Sequence, residues 1–419
     1  MDRDPARQGP AMTTRSYTAD NGNPPPLVSA INGIGSALRR AGIGHPLSTG
    51  EILKAARRRT RLHDWGNAFF LEPLQCLVDA FEDEAKLTPF GRMVAHNLFI
   101  YHVSQRLYNQ DYLQRHPEAA TLELRAPLIV VGMPRTGTTL AYNLLCQDPA
   151  NRPLMFWESI QPAPLRPLPL VSDRRVFRSR IAARIIHRLA PGLKHVHPLD
   201  PDGPEECTWL MANTFVCPAF GMFGRIPSYM DWLWNLDHGT WSKVYEDYAN
   251  QLRIIQHQRD TGQWVLKSPV HFMSLEPLLR AIPNARIILT HRDSVDVVPS
   301  ACSLFAVLRG MGTEHQDMAE LGKLMLEDLA RGMQRAQEAH DSHPDRVIKA
   351  HYQQVTKDPV ETIRTIYTHF GIPFDDALAA RLDRWLAESK HVKSHTYGLD
   401  QFGLDPKEVQ ERFSDIGVD

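Results

Sequence analysis

A chain of 419 residues with 47 Lys+Arg against 48 Asp+Glu and a formal net charge of -1 has no overall field to recruit nucleic acid or an anionic membrane, so any anion site must be local. Its length suffices for two or three structural units. The five scattered cysteines (Cys76, Cys146, Cys207, Cys217, Cys302) are odd in number and lack a C-x-x-C pair, which argues against a disulfide framework and a zinc cluster and suits a reducing cytoplasm.

The opening twenty residues lack the apolar stretch of a secretory signal, and no run approaches the ~18 apolar residues of a membrane span, so a soluble cytoplasmic protein is expected. Residues 1–26 are polar, contain NGNPPP and read as a flexible tail. Residues 27–120 read as a helical region. Within it Pro89 to Leu107 has helical patterning, with Thr88 as N-cap and Pro89 at the first helical position.

From 121 to 415 the pattern becomes α/β. Apolar runs predict strands at Leu128–Val131, Trp264–Leu266, Arg286–Thr290 and Val347–Ala350. Helical segments follow the first and third, the alternation of a parallel sheet with helices on its faces. An insertion, about 156–263, separates the first two strands. It gathers Phe215, Phe220, Phe223, Tyr229, Trp232, Trp234 and Trp241, which suit either a core or a pocket for an apolar or aromatic acceptor. Open sheets of this kind bind ligands at the carboxyl ends of their strands.

The first strand runs into Val130 to Thr139, VVGMPRTGTT. Gly132 and Gly137 free the backbone to curl at the start of a helix over Thr138 to Gln147, where amides and the macrodipole favour an anion. The spacing approaches the triphosphate loop G-x-x-x-x-G-K-[ST], but Thr138 stands where that loop carries its lysine, and Arg135 brings the cation inside instead. Phosphate binding is expected, and a kinase reading is weakened. The third strand leads to His291, Arg292, Asp293 as a helix cap, and Ser300 in the following helix. Together Arg292 and Ser300 can close on one phosphate, for which the guanidinium fork is suited.

These two anchors resemble the cofactor site of sulfotransferases that use 3′-phosphoadenosine 5′-phosphosulfate (PAPS). Arg135, Thr136, Gly137, Thr138 and Thr139 match that family's 5′-phosphosulfate loop, and Arg292 and Ser300, eight apart, match its 3′-phosphate pair. The similarity runs from about Leu124 to Phe413 and is nearest the bacterial branch, with LKSP-x-H at Leu266 to His271 and a late H-x-Y…FGL segment from His395 to Leu404. It implies an α/β, P-loop-like three-layer fold with a central parallel sheet flanked by helices, plus the N-terminal helical region. The implied reaction moves a sulfuryl group from PAPS to an acceptor hydroxyl on a small molecule, without a metal.

By this resemblance Pro134 to Thr139 hold the 5′-phosphosulfate, Arg292 and Ser300 hold the 3′-phosphate, and Lys267, with Arg135, stabilises the leaving phosphate. His271, four positions after Lys267, is the candidate base, since an imidazole titrating near ~6.5 can accept a proton at neutral pH. A carboxylate competes with it: Glu205 or Glu206, in the acidic turn that also holds His195 and His197, is the alternative if burial raises its pKa. Leu140 replaces the tryptophan that stacks on adenine in cytosolic animal members, and their R-K-G clamp is missing. Lys390, Lys393 and His395 occupy the comparable late region. A P-loop kinase and a non-catalytic nucleotide-binding protein are the rival readings. Oligomeric state stays open.

Overall fold

The computed structural model describes residues 25–41, 46–165, 173–189, 199–259, 262–389, 398–414 and 416. Its centre is a sheet of five parallel strands: β1 (Leu128–Gly132), β2 (Asn151–Pro153), β3 (Gln263–Lys267), β4 (Arg286–His291) and β5 (Val347–His351), in the order β2-β3-β1-β4-β5. Four stand where apolar runs predict them. The fifth, β2, is a three-residue edge strand held by backbone pairing to β3.

Strands covered on both faces should be apolar at every position, and all five residues of β1 are buried. The period of two then divides them between two cores. Ile129 and Val131, with Trp264, Leu266, Ile287 and Leu289, enter a large core. Leu128, Val130, Val265 and Ile288 enter a smaller one with the helices Pro359–His369 and Asp376–Glu388.

The N-terminal helices α1 (Pro26–Arg40), α2 (Thr49–Thr60), α3 (Leu71–Asp83) and α4 (Pro89–Arg115) precede the sheet. As the sequence predicts, Thr88 caps α4: its Oγ1 accepts from the Gly91 amide at 3.0 Å, satisfying one of the helix's open donors. The helix continues two turns past Leu107. Residues 1–24 of the expected tail lie outside the described residues. Of the insertion's aromatics, Phe215, Phe220, Tyr229, Trp234 and Trp241 are buried in the large core, while Phe223 and Trp232 are half-buried. Phe99 of α4 packs edge-on against Phe215 and Phe220, with centroids at 6.5 and 6.1 Å. No helix among the described residues is long and apolar enough to cross a membrane.

Register decides what meets at the sheet's carboxyl edge. Gly132 lies opposite Thr290 and Val130 opposite Lys267, so the loop after β1, the end of β3 and the turn after β4 share one rim.

Candidate functional site

The rim begins at Gly132, which no other residue can replace without displacing β4. A Cβ there would stand 2.3 Å from Thr290 Oγ1 and 2.4 Å from the Thr290 carbonyl oxygen. Beyond it Gly137 takes φ +88, and Arg135 takes φ +70, which is uncommon for a residue with a side chain and costs about 1–3 kcal/mol, a strain typical of ligand-gripping loops. The Thr136 hydroxyl is buried; it donates to the Met133 carbonyl at 2.8 Å and meets Thr290 Oγ1 at 2.6 Å. That side chain therefore ties the loop to β4 and faces away from solvent. Pro134 is half-buried, Arg135 and Thr139 are exposed, and Thr138 is buried. The helix α5 (Thr138–Leu145) starts at Gly137 with no side-chain cap. Its first-turn amides have no acceptor within the helix and suit an anion.

Arg292 follows β4. Asp293 caps the next helix, Ser294–Gly310, accepting from the Val295 amide at 3.0 Å. The Arg292 guanidinium reaches back to the loop, with Nη1 3.5 Å from the Arg135 carbonyl oxygen. Asp296 steadies it through Nη2 at 2.7 Å, and it lies over the Tyr352 ring at 4.3 Å. Half-buried Ser300 is one helical turn beyond Asp296 and so on the same helix face. Tyr352 also borders Gly137, at 3.3 Å from where a Cβ would sit. Sequence reasoning missed it. Its place directly after β5, at a strand's carboxyl end, was the available signal.

Lys267 ends β3. Its Nζ is 2.6 Å from Glu206 Oε1 and 3.4 Å from Thr139 Oγ1. Glu206 also accepts from Thr208 Oγ1 at 3.2 Å, and Thr208 meets Ser268 Oγ at 2.6 Å. Of the two adjacent acids it is thus Glu206 that reaches the lysine. Glu205 is buried and its Oε1 accepts from the Glu206 amide at 2.7 Å.

His271, the candidate base from sequence, lies in the core behind the rim, fully buried. Its Nε2 is 3.3 Å from Cys207 Sγ and its Nδ1 3.1 Å from the Tyr245 hydroxyl, which in turn meets Ser274 Oγ at 2.7 Å. Both ring nitrogens are engaged by protein groups. Its position after Lys267 was readable from sequence; the direction of its ring follows from the 3₁₀ turn Pro269–Met273, which packs Val270, His271 and Phe272 inward. His195, His197, Lys390, Lys393 and His395 lie outside the described residues.

Burial pushes His271 down from 6.5 to about 3, and does the same to His102, to about 4. Both are neutral when folded, whereas the unfolded chain takes up protons at these positions below its ordinary value. Their contribution is therefore complete above pH 6.5 and is lost as pH falls toward the folded values. The melting temperature is expected to fall progressively from about pH 6.5 to 4, less steeply in His271→Gln, as thermal scans across that window would record. A flat profile would contradict the burial of these rings. Among the described residues, one group of His, Cys, Asp or Glu has ligand atoms close enough for a metal, His116, Glu118 and His257. It lies on segments leading into the amino ends of β1 and β3, away from the rim.

The rim thus gathers three cations, Arg135, Lys267 and Arg292, around a loop of open amides. Comparison with known proteins speaks to the family rather than to these residues. The description "Sulfotransferase family" covers a profile that matches residues 127–376. Omega-hydroxy-beta-dihydromenaquinone-9 sulfotransferase Stf3 of Mycobacterium bovis and of Mycobacterium tuberculosis is 26% identical over 303 residues, 67% of this chain and 72% of the relative. The crystal structure of sulfotransferase STF9 from Mycobacterium avium superposes with a TM-score of 0.78 at 29% identity, covering 88% of this chain and 95% of that one. That of STF1 from Mycobacterium tuberculosis H37Rv gives 0.76 at 27%, covering 88% and 99%. With more than half its length matched by the profile and its fold shared with two solved sulfotransferases, the chain belongs to the sulfotransferase family.

Proposed function

We propose that this sulfotransferase takes its sulfuryl group from PAPS and delivers it to the hydroxyl of an apolar small molecule. The observation that carries the donor assignment is the meeting of the two anchors, with the Arg292 guanidinium 3.5 Å from the backbone of Arg135. One adenosine phosphorylated at two positions can touch both. Arg135, Thr138, Thr139 and the first amides of α5 hold its 5′ end beside Pro134 and Gly137. Arg292, steadied by Asp296 and Tyr352, and Ser300 hold the 3′-phosphate. The Thr136 side chain acts indirectly, by fixing the loop against β4.

The donor supplies an activated sulfur–oxygen bond on a phosphate leaving group. Lys267 is placed to stabilise the charge that gathers on that phosphate as the bond breaks, an electrostatic role played in a water-poor setting. Glu206 is placed to take the acceptor's proton as the new bond to sulfur forms. Its Oε1 is engaged by Lys267, so a shift of the ammonium toward the leaving oxygen opens that oxygen at the moment the proton must move. His271 supports this edge from the core, through Cys207 Sγ, which also donates to the Lys267 carbonyl at 3.4 Å.

An apolar acceptor is supported by a cavity of about 90 Å³ that touches the loop at Pro134 and is lined by Met222, Met230, Val270, Phe272 and Met325. The mycobacterial Stf3 relatives are named for a menaquinone-derived alcohol, which fits such a lining. The donor assignment is tested by thermal shift. Adenosine 3′,5′-bisphosphate without magnesium, at about a hundredfold above its Kd, is expected to stabilise the fold by about 2.7 kcal/mol, and ATP with magnesium by less. The reverse order would replace this reading with a kinase.

A further inference from the structure

Helix α6 (Arg175–Leu189), within the insertion, has an outer face that serves neither the sheet nor the rim. Arg175 fastens its start: its guanidinium donates to the carbonyls of Gln161 (3.1 Å) and Pro162 (2.6 Å) and to Gln258 Oε1 (2.6 Å), and lies over Trp157. Arg175, Ser179 and Ala183, spaced by four, form the buried row. At 100° per residue, Phe177, Ile181 and Ile185 fall on the opposite side. They are 66%, 39% and 53% exposed, among the most exposed large apolar side chains of the described residues. The same arc of about 120° carries Arg174, Arg178, Arg184 and Arg188, all exposed. No acid lies between Arg174 and Leu189; the neighbouring Asp173 is held by Arg175 and Asp202 by Arg180.

We infer that α6 is a docking face for the surface of an anionic lipid bilayer. Alternating apolar side chains and arginines on one arc match the two layers of a membrane interface: Phe177 and the isoleucines enter the acyl boundary, while the guanidiniums remain at phosphate depth. The charge selects the occupant. A second copy of this face would set four arginines against four, whereas an anionic surface attracts each of them, and nucleic acid offers nothing to the apolar row. The chain's near-zero net charge makes this a local device rather than a global one. It also gives an enzyme with an apolar acceptor a position beside the phase in which such molecules dissolve.

The test is co-sedimentation of the full chain with vesicles of phosphatidylcholine, alone or mixed with phosphatidylglycerol, at about 0.1 M salt, where the Debye length is about 10 Å. Binding to the anionic vesicles is expected to be at least about tenfold tighter and to weaken at high salt. Two triple variants, Phe177→Ser/Ile181→Ser/Ile185→Ser and Arg178→Gln/Arg184→Gln/Arg188→Gln, should each lose it by about tenfold or more, while keeping the thermal response to adenosine 3′,5′-bisphosphate as proof of folding. Equal binding to both vesicle types, or undiminished binding by both folded variants, would overturn the inference. So would a dimer that the serine variant dissociates, which would make the face an interface between copies.

Discussion

Lys267→Met is expected to lower kcat by about 10²–10³-fold with little change in donor KM, because the ammonium acts on charge that exists only as the bond to phosphate breaks. Glu206→Gln should cost about 10²–10⁴-fold. The two residues share one contact at 2.6 Å, so the double variant should lose far less than the product of the single losses. Steady-state kinetics on the three variants checks this. Losing Lys267 also takes the neighbouring cation from a carboxylate only 18% exposed, which destabilises the fold, so the nucleotide-induced thermal shift must be measured beside activity. A His271→Gln enzyme that folds but loses about 10²-fold or more, beside a fully active Glu206→Gln, would return the proton to the histidine.

The second expected result concerns recognition. In Arg292→Ala the affinity for adenosine 3′,5′-bisphosphate should fall by about 10–10²-fold, the cost of charge-assisted hydrogen bonds to one phosphate. Affinity for adenosine 5′-phosphate should barely change. The fold should tolerate this substitution, since the Arg292 pair with Asp296 is half exposed and such pairs contribute little to stability. Calorimetric titration with each nucleotide decides the matter: equal losses for both would remove the 3′-phosphate from Arg292.

The parts of this protein that were legible in its sequence are those where one local force dominates. Four consecutive apolar residues before a glycine curl specify β1 and its loop, and the Thr88–Pro89 pair specifies the start of α4, because a cap and a fixed φ act within one turn. The proximity of Arg292 to the loop followed from both lying at the carboxyl ends of parallel strands. What was not legible depends on direction or on distant pairing. β2 has no apolar run, since a three-residue edge strand exists only through its bonds to β3. Choosing between Glu205 and Glu206 required knowing that the Glu205 amide pairs with the Leu154 carbonyl at 2.8 Å, which leaves the next side chain to Lys267. His271 sits at the right distance along the chain, but the turn carries its ring into the aromatic core.

The edge-on packing of Phe99 against Phe215 and Phe220, joined by Phe81 at 5.2 Å from Phe99 and Phe70 at 6.0 Å from Phe215, has a meaning for how such enzymes diversify. The match to the family profile starts at 127, yet rings contributed upstream of it seal the insertion that follows β2. Swapping the catalytic segment alone into another scaffold would unroof those rings, so leader helices and acceptor-side insertion must be inherited as a matched set.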